Sequence, residues 1–433
     1  MSESQVRRVA IVGGLRIPFC RAGTHYAEAG NKDMLTAVMR ALVERYELRD
    51  QRLGDVAAGA TFKHPRDWNL TRECVLDSGL ARDTPAFDLQ RACGTSLSAC
   101  VMIANKIALG KIEVGIGAGV DSISDMPLEY SDRFRHAVLA AGRAKTLGQR
   151  LGAFARIRPR DLKPHTPGVV EPHTRLSMGQ SCEQMARAWK VSRESQDKLA
   201  LASHRNAAEA WDGGFYRDLV VPFAGAERDN NVRADTSLEK LSRLRPVFAQ
   251  DSQATLTAGN SSPLTDGAAG VLLASESWAH ERGLPILAYL VDSEVAAVNF
   301  VDGDAGDDGL LMAPAYAVSR MLARNGLGFD DFDFFEIHEA FAAQVLCTLK
   351  AWNDAGFARR KLERDEPLGE LDRAKMNVHG GSVALGHPFG ATGARIVATL
   401  AALLADKGEG RGLISICTGG GMGVTAILEA ARQ

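Results

Sequence analysis

The sequence predicts an α/β fold made of two similar halves with an extra segment between them. An amphipathic helix, a polar loop and a short buried strand follow one another at residues 35–62 and again at residues 314–341. A long apolar helix that ends near glycine and leads into an Ile/Val/Leu strand occurs at residues 96–122 and again at residues 390–423. Two matches in the same order suggest that residues ~5–125 and ~280–433 are copies of one α/β unit, although helix–strand alternation also arises without duplication.

The length and composition are those of an ordinary soluble protein. A chain of 433 residues exceeds the size at which a single core stops growing, which predicts two domains or one duplicated domain. Hydrophobic residues make up 45% of the chain and charged residues 24%, which fits a globular enzyme. The net charge of −2 argues against a general nucleic-acid-binding surface, so no nucleic-acid partner is expected.

The N-terminus and the cysteines together predict a cytoplasmic protein. The chain enters a predicted strand at Val9 to Val12 within a few residues, which leaves no room for a signal or transit peptide. We find no apolar run of about 18 residues, so no transmembrane helix is expected. The seven cysteines form no CxxC pair and show no regular Cys/His spacing, which fits a reducing compartment and supports neither a disulfide framework nor a zinc site.

Residues 126–250 lack the helix–strand rhythm and contain a strongly basic stretch. Between residues 133 and 163 only Asp161 opposes the basic side chains, with Asp132 just before them. The basic residues are Arg133, Arg135, Arg143, Lys145, Arg150, Arg156, Arg158, Arg160 and Lys163. One interpretation is a solvated helical face. The alternatives are contact with an anionic ligand such as nucleotide phosphates, with a membrane surface or with a partner protein.

Cys93 lies where a polar, strand-like segment meets the start of a helix. The helix that begins near Gly94 has an apolar stripe that includes Cys100, so Cys93 precedes its first turn. Unpaired N–H groups and the helix dipole favour a thiolate at that position. The sequence therefore predicts a lowered pKa for Cys93 and no such effect for Cys100. The alternative for Cys93 is a small buried core residue.

Three clusters in the C-terminal third offer the partners that a nucleophilic thiol needs. His338 follows a predicted strand in IHEAFAAQ, and His387 lies in the glycine-rich loop of NVHGGSVALGHPFGATGAR. Cys417 ends a predicted strand in CTGGGMG, where glycines expose backbone N–H groups. A thiolate nucleophile needs a base, and a carbonyl substrate needs oxyanion donors. Each cluster alone is also compatible with a structural role.

Taken together, these segments resemble the thiolase family. Further matching segments, in chain order with them, are RIPF, RACGTSLSAC, MGQSCEQMA, LRPVF and TAGNSSPLTDGAAG. The resemblance covers essentially the whole chain and implies two similar βαβαβαββ halves in a five-layer α/β/α/β/α core. It implies the first part of the N-terminal half at residues 1–125, an inserted loop domain at 126–250, the end of the N-terminal half at 251–279 and the C-terminal half at 280–433.

The resemblance implies roles for five residues. Cys93 is expected to be the acylated nucleophile, His387 its activating base and an oxyanion donor, and Cys417 the second acid/base. The backbone N–H groups of Cys93 and Gly419 match the hole for the acylation intermediate. His338 with His387 matches the hole for the enolate oxygen. Asparagine is commoner at the first position of HEAFA, and the histidine form resembles bacterial anaerobic and mitochondrial trifunctional long-chain thiolases.

The resemblance also implies contacts with coenzyme A. Ser262 aligns with a serine near the pantetheine, Arg233 with an arginine beside the adenine nucleotide, and Met178 with a methionine that lines the pocket. Arg233 is also compatible with an ordinary surface position. Gly94 stands where the family often has alanine, and we interpret this change as tuning of the pocket shape.

The implied activity is thiolytic cleavage of 3-ketoacyl-CoA by CoA, through an acyl-cysteine, in fatty-acid β-oxidation. The alternatives are a biosynthetic thiolase that condenses two acetyl-CoA molecules and a catalytically altered binding subunit. No metal and no cofactor beyond the substrate CoA are expected. The resemblance implies a homodimer or higher homo-oligomer. A hydratase/dehydrogenase partner subunit and a peripheral membrane contact are further hypotheses for the basic segment.

Overall fold

The computed structural model describes residues 6–166 and 168–431, which fold into ten strands and fourteen α-helices. The strands are β1 (Val9–Arg16), β2 (Cys20–Arg21), β3 (Asp55–Ala58), β4 (Ala86–Asp88), β5 (Val114–Asp121), β6 (Thr265–Ser275), β7 (Ala288–Ala297), β8 (Phe334–Ile337), β9 (Arg411–Thr418) and β10 (Met422–Ala430). The helices are α1 (Asn31–Arg45), α2 (Leu70–Ser78), α3 (Thr95–Ala108), α4 (Asp132–Arg143), α5 (Leu147–Phe154), α6 (Met178–Ala188), α7 (Arg193–Asp212), α8 (Leu238–Ser242), α9 (Glu276–Glu281), α10 (Ala313–Asn325), α11 (Ala342–Asn353), α12 (Ala355–Lys361), α13 (Ser382–Leu385) and α14 (Thr392–Lys407).

The strand pairing repeats between the two halves of the chain. In the first half, β1 and β5 both pair antiparallel with β6, and β3 pairs parallel with β5 and with β4. In the second half, β7 and β9 both pair antiparallel with β10, and β8 pairs parallel with β9. Equivalent helices precede equivalent strands. Helix α1 before β3 corresponds to α10 before β8, and α3 before β5 corresponds to α14 before β9. The predicted duplication is confirmed.

The two halves enclose a central pair of helices. Strands β1 and β7 join the halves through three residue pairs, from Val9–Leu290 to Ile11–Ala288. Helices α3 and α14 pack on each other and on strands of the sheet, with α14 contacting strands of both halves. Helices α1 and α2 lie with the first half and α10 and α11 with the second, on the outer faces. This arrangement is the predicted five-layer α/β/α/β/α core.

Helix α14 is a long apolar helix that is mostly buried. Together with the preceding 3₁₀ turn, residues Phe389–Lys407 are long and apolar enough to cross a membrane, but 78% of their most apolar window is buried inside the fold. A helix that is apolar on every side is typical of a core that surrounds it. Gly408, with φ of +79°, ends the helix, as Gly326 with φ of +64° ends α10.

The segment between β5 and β6 contains helices α4 to α8. Helices α4 and α5 pack on each other, and α4 also packs on the short 3₁₀ turn Pro159–Leu162. We call residues 132–163 the basic hairpin. Further along the segment, the carboxylate of Asp229 forms two hydrogen bonds with the buried guanidinium of Arg16, at 2.6 and 2.7 Å. This ion pair fastens the segment to the end of β1. The predicted boundaries of the inserted domain stay a prediction.

Candidate active site

Cys93 is presented on a strained turn between β4 and α3. It lies in the 3₁₀ turn Ala92–Gly94, and Ala92 has φ of +41°, a left-handed conformation that costs a non-glycine residue energy. The residue Cys93 is partly exposed, whereas the other six cysteines are buried. Strain of this kind is found where a side chain must be held in an unusual direction. The turn therefore holds the sulfur of Cys93 in the site.

His387 contacts Cys93 directly. Its Nε2 lies 3.2 Å from the Cys93 sulfur, and its Nδ1 lies 2.6 Å from the hydroxyl oxygen of Thr392. The Thr392 hydroxyl donates its own hydrogen to the Pro388 carbonyl at 3.1 Å, so its oxygen accepts a hydrogen bond from Nδ1–H. This network assigns the proton to Nδ1 and leaves a lone pair on Nε2. His387 therefore faces the thiol as a base.

Both members of this pair are held in their neutral forms. Burial raises the pKa of Cys93 to about 12, although the N–H groups of Gly419 and of Cys93 itself act to lower it. Burial, together with a smaller contribution from the positive charge of Arg395, lowers the pKa of His387 to about 3. The predicted lowered pKa of Cys93 is therefore wrong, because desolvation outweighs the helix start. The resting pair is a thiol beside a neutral imidazole.

Cys417 lies beside Cys93 near the end of β9. Its thiol is 1% exposed, and burial raises its pKa well above the ordinary value, with a smaller contribution from Cys93. The chain then turns through Gly420 and Gly421, which have φ of +78° and +69°. These positive φ values are readily adopted by glycine. The turn brings the Gly419 N–H near enough to Cys93 that this group and the N–H of Cys93 itself both act to lower the pKa of the thiol.

His338 completes the cluster from the end of β8. Its ring centroid lies 4.2 Å from that of His387, and one ring nitrogen lies within 4.8 Å of the Cys93 sulfur and of a His387 nitrogen. The side chain is buried, and its Nε2 has no hydrogen-bond partner among the described residues. A buried polar atom without a partner is costly in a finished core and is typical of a place that a ligand atom completes.

The same cluster has the donor set of a metal site. Cys93, His338 and His387 each offer a ligand atom, and these atoms lie within 4.8 Å of one another. A thiolate with two imidazoles is a set that Zn²⁺ accepts. The sequence-based expectation that the chain binds no metal therefore stays a prediction.

The residues expected to contact CoA lie on two sides of this cluster. Arg233 lines a cavity of about 310 Å³ together with Arg21 and Lys240, and its N–H donates to His204. Ser262 is half-buried, and its N–H donates to the carbonyl of Ala340, two residues after His338. The neighbour of Ser262, Pro263, lines the same cavity. This places Ser262 between the cationic cavity and the histidine cluster.

Met178 lies next to Gly419, at the start of α6. A Cβ atom built on Gly419 would lie 3.7 Å from the sulfur of Met178 and 3.7 Å from the Cβ of Ala92. The methionine therefore borders the turn that carries the Gly419 N–H.

Gly94 does not shape this pocket. A Cβ on Gly94 would come within 2.7 Å of Val424 and 2.9 Å of Thr418, so glycine lets the start of α3 pack on β9 and β10, and the earlier interpretation is wrong.

Sequence reasoning missed Glu339, the second residue of HEAFA. Its buried carboxylate accepts hydrogen bonds from Ser203 at 2.7 Å, from Asn377 at 2.6 Å and from the N–H of Val383 at 3.1 Å. These contacts tie the loop of His338 to α7 and to the loop that leads to His387. No pattern in the sequence signals this role, because the three partners of the Glu339 carboxylate are distant from it in the chain.

Comparison with known protein families gives two matches. The model of the thiolase N-terminal domain matches residues 9–277, and the model of the thiolase C-terminal domain matches residues 286–430. Together the two matches cover nearly all of the chain.

Individual relatives cover the chain over its length. The 3-ketoacyl-CoA thiolase of Pectobacterium carotovorum subsp. carotovorum (strain PC1) is 42% identical over 428 residues, which is 98% of this chain and 96% of the relative. Among solved structures, the Bacillus anthracis acetyl-CoA acetyltransferase has a TM-score of 0.82 at 29% identity, covering 99% of this chain and 100% of that one. Human mitochondrial 3-ketoacyl-CoA thiolase in complex with CoA has a TM-score of 0.80 at 28% identity, covering 99% of each chain.

The duplicated core, the thiol held against an imidazole and the second thiol on the neighbouring strand agree with both family matches. The chain belongs to the thiolase family.

Proposed function

We propose that this protein catalyses the thiolytic cleavage of 3-ketoacyl-CoA by CoA, as a step of fatty-acid β-oxidation. The products are acetyl-CoA and an acyl-CoA shortened by two carbons. The observation that carries the proposal is the 3.2 Å contact between the Cys93 sulfur and His387 Nε2, with Cys417 beside Cys93. The name of the Pectobacterium relative, a 3-ketoacyl-CoA thiolase, supports the degradative direction.

The first half-reaction breaks the carbon–carbon bond. His387 Nε2 takes the thiol proton as the Cys93 sulfur attacks the keto carbon, because neither group is charged at rest. The N–H groups of Cys93 and Gly419, both of which act to lower the pKa of the Cys93 thiol, hold the tetrahedral oxyanion. When the carbon–carbon bond breaks, His338 and the protonated His387 hold the oxygen of the departing enolate. Cys417 donates its proton to the enolate carbon, which yields acetyl-CoA.

The second half-reaction transfers the acyl group to CoA. The Cys417 thiolate takes the proton of the CoA thiol, and the resulting sulfur anion attacks the acyl thioester on Cys93. The Cys93 and Gly419 N–H groups again hold the oxyanion. The Cys93 thiolate then leaves and recovers its proton from His387. Every proton taken is returned, so these steps need no metal or redox cofactor, and CoA is the only cosubstrate that we propose.

The assay follows loss of the enolate absorbance of acetoacetyl-CoA after CoA is added. We expect the unmodified chain to remove the signal and Cys93→Ser to lose nearly all of this activity with an unchanged circular dichroism spectrum. Equal activity in the two proteins contradicts the proposal. Running the reaction from acetyl-CoA distinguishes the condensing alternative, and kcat/KM across short to long 3-ketoacyl-CoAs defines the chain-length preference.

The cavity beside Ser262 suits the charged end of CoA. Arg21 and Arg233 line it, and their guanidinium groups complement the phosphates of the adenine nucleotide, whereas Lys240 in the same lining is paired with Asp235. Ser262 lies between this cavity and the cluster, where the pantetheine arm would pass. Arg233 and Ser262 are therefore proposed CoA contacts.

We also propose a homodimer. Strand β4 is the outermost strand of its half, and its open edge borders a cleft lined by Phe87, Met102 and Val295. Met102 is 43% exposed and Val295 44% exposed. An exposed strand edge beside apolar side chains is a ready surface for pairing with a second copy. A higher oligomer and a hydratase/dehydrogenase subunit are compatible with this dimer.

For the basic hairpin we propose peripheral contact with an anionic lipid surface. All nine basic side chains of residues 133–163 are exposed, and Leu139, Leu147 and Leu151 between them are 55%, 72% and 62% exposed. Exposed leucines among cations are typical of a helix that lies in a membrane interface. The hairpin packs mainly on itself, which leaves these faces open. We propose the cytoplasm as the location, because the chemistry needs two reduced cysteines.

A further inference from the structure

The two active-site histidines differ in what holds the ring nitrogen that faces away from the substrate. Nδ1 of His387 donates to Thr392, as described above. Nδ1 of His338 lies 2.9 Å from the hydroxyl oxygen of Ser382, the first residue of α13. The same hydroxyl oxygen accepts a hydrogen bond of 3.0 Å from Nη2 of Arg395. Ser382 therefore lies between a buried cation and the ring.

One arrangement of hydrogens gives the hydrogen of the Ser382 hydroxyl an acceptor. Arginine can only donate, so the Ser382 oxygen accepts from Arg395. The hydroxyl has a single hydrogen, and the His338 ring is its remaining partner. Nδ1 of His338 therefore accepts that hydrogen, and the proton of the neutral ring lies on Nε2. This is the nitrogen that is buried without a partner among the described residues.

The cation at the end of the chain is itself fixed. Arg395 on α14 is 1% exposed, and its Nη1 lies 3.3 Å from the carboxylate of Glu336. Glu336 is also 1% exposed and stands on β8, two residues before His338. Because Nδ1 of His338 accepts the Ser382 hydrogen, it carries none of its own, so the ring has only one N–H to place.

We propose that Ser382 and Arg395 are positioning residues that fix His338 as the Nε2–H tautomer, with its single N–H directed at the enolate oxygen. The inference deepens the proposed function and rests on it. The two histidines are thereby held in opposite tautomers. His387 presents a lone pair to the thiol of Cys93, and His338 presents a hydrogen to the substrate. Because the His338 ring donates this hydrogen bond while neutral, it does not first have to take up a proton from solvent.

Ser382→Ala tests the proposal, because it removes the hydrogen that Nδ1 accepts and frees the ring to adopt the other tautomer. Two reactions of acetyl-CoA separate the two oxyanion holes. Exchange of its methyl hydrogens in D₂O requires the enolate, whereas exchange of labelled CoA into acetyl-CoA requires only acylation of Cys93. In Ser382→Ala we expect deuterium exchange to fall by tens-fold, somewhat below the roughly 10²–10³-fold cost of losing an oxyanion donor outright. We expect CoA exchange to stay within about twofold of the unmodified rate.

Ser415→Ala is the matched control. The Ser415 hydroxyl is buried and has no partner among the described residues, while the Ser415 carbonyl accepts the His338 backbone N–H at 2.8 Å. We expect both exchange reactions to be unchanged in this variant. Full deuterium exchange in Ser382→Ala, or an equal loss of both exchanges, overturns the proposal, since the second result indicates only a structural role. An unmodified protein that performs neither exchange overturns the proposed function instead.

Discussion

Burial, and not the following helix, decides the protonation of Cys93. The start of α3 and the N–H groups near the sulfur favour a thiolate, yet the pKa is raised to about 12. A helix start is visible in a sequence, whereas desolvation depends on side chains from β4, β9 and the loop of His387 packing around the thiol. The nucleophile is therefore formed by transfer of its proton to His387 during attack.

Exposure should make Cys93 the first cysteine to react with iodoacetamide. Cys93 and Cys100 both have pKa values raised to about 12 by burial, so thiolate content does not separate them. Cys93 is partly exposed and Cys100 is 0% exposed. We expect peptide mass spectrometry to find Cys93 alkylated first, at a rate that rises through the alkaline range because a raised pKa delays thiolate formation. Earlier labelling of Cys100 contradicts this prediction.

The pKa of His387 predicts the pH dependence of catalysis. Because that pKa is lowered to about 3, the neutral base persists as the pH falls through the ordinary histidine value of about 6.5. The pKa of His338 is lowered as well, so it adds no titration there. We expect kcat/KM for cleavage to stay level as the pH falls from about 8 to about 5, with no decrease near pH 6.5.

His387→Gln provides the comparison for this pH profile. The variant lacks the base and should lose about 10²–10⁴ in kcat across that range. An acid limb near pH 6.5 in the unmodified enzyme would show that the resting His387 is not held neutral.

At the level of elements, periodicity predicts where the catalytic residues stand. The predicted strand at Phe334–Ile337 is β8, and His338 follows it; the strand that ends near Cys417 is β9. The partners that hydrogen-bond the two histidines follow no periodic pattern in the sequence. Ser382 and Thr392 lie within the glycine-rich segment, and their contacts with the histidines depend on how the loops fold.

The basic hairpin should bind anionic vesicles through its charge. We expect charge reversal at Arg150, Arg156 and Arg158 to abolish co-sedimentation with phosphatidylserine vesicles, since each basic residue near such a surface contributes about 1 kcal/mol. Binding should also weaken as salt is added, because screening shortens the reach of these charges.

The control for the hairpin is an equal charge reversal outside it. Lys111, Arg359 and Arg373 are exposed basic residues in other parts of the chain, and reversing them should leave vesicle binding unchanged. If the hairpin variant changes neither lipid binding, CoA affinity nor partner binding, the hairpin is a solvated face.

For the whole molecule, the ion pair of Arg16 and Asp229 should contribute strongly to stability. Their side chains are 3% and 0% exposed, and Asp229 also accepts hydrogen bonds from the Phe19 N–H and from Trp211. Asp229→Ala leaves the Arg16 guanidinium buried and unpaired, so the free energy of unfolding should fall by about 3–5 kcal/mol in urea denaturation.

The exposed pair of Asp212 and Arg228 is the control for this ion pair. Its side chains are 72% and 55% exposed, so Asp212→Ala should change the free energy of unfolding by about 0–1 kcal/mol. Similar losses in the two variants would show that burial of the Arg16 pair is energetically unimportant.

The proposed dimer predicts the effect of a charge in the cleft beside β4. Met102→Glu places a carboxylate against Phe87 and Val295, and burying it between two copies without a partner is unfavourable. Light scattering after size-exclusion chromatography should find a dimer for the unmodified chain and a monomer for this variant. Val6→Glu, at a residue 73% exposed and outside the cleft, should remain dimeric. A dimeric Met102→Glu protein places the interface elsewhere.

The duplication could be predicted from the sequence because both halves repeat the same order of helices and strands. The contacts that link the halves could not be predicted. The β1–β7 pairing joins segments nearly 280 residues apart, and the Arg16–Asp229 pair spans 213 residues. Neither leaves a local pattern, since both result from the packing of distant segments.

The neutral state of the resting Cys93 thiol also affects how readily the protein is oxidised. Peroxide attacks thiolates, and a sulfur that keeps its proton until a substrate arrives gives oxidants little to react with. The sulfurs of Cys93 and Cys417 both keep theirs. Between turnovers the catalyst is therefore shielded from oxidation, and its vulnerable moment is confined to the brief lifetime of each charged intermediate.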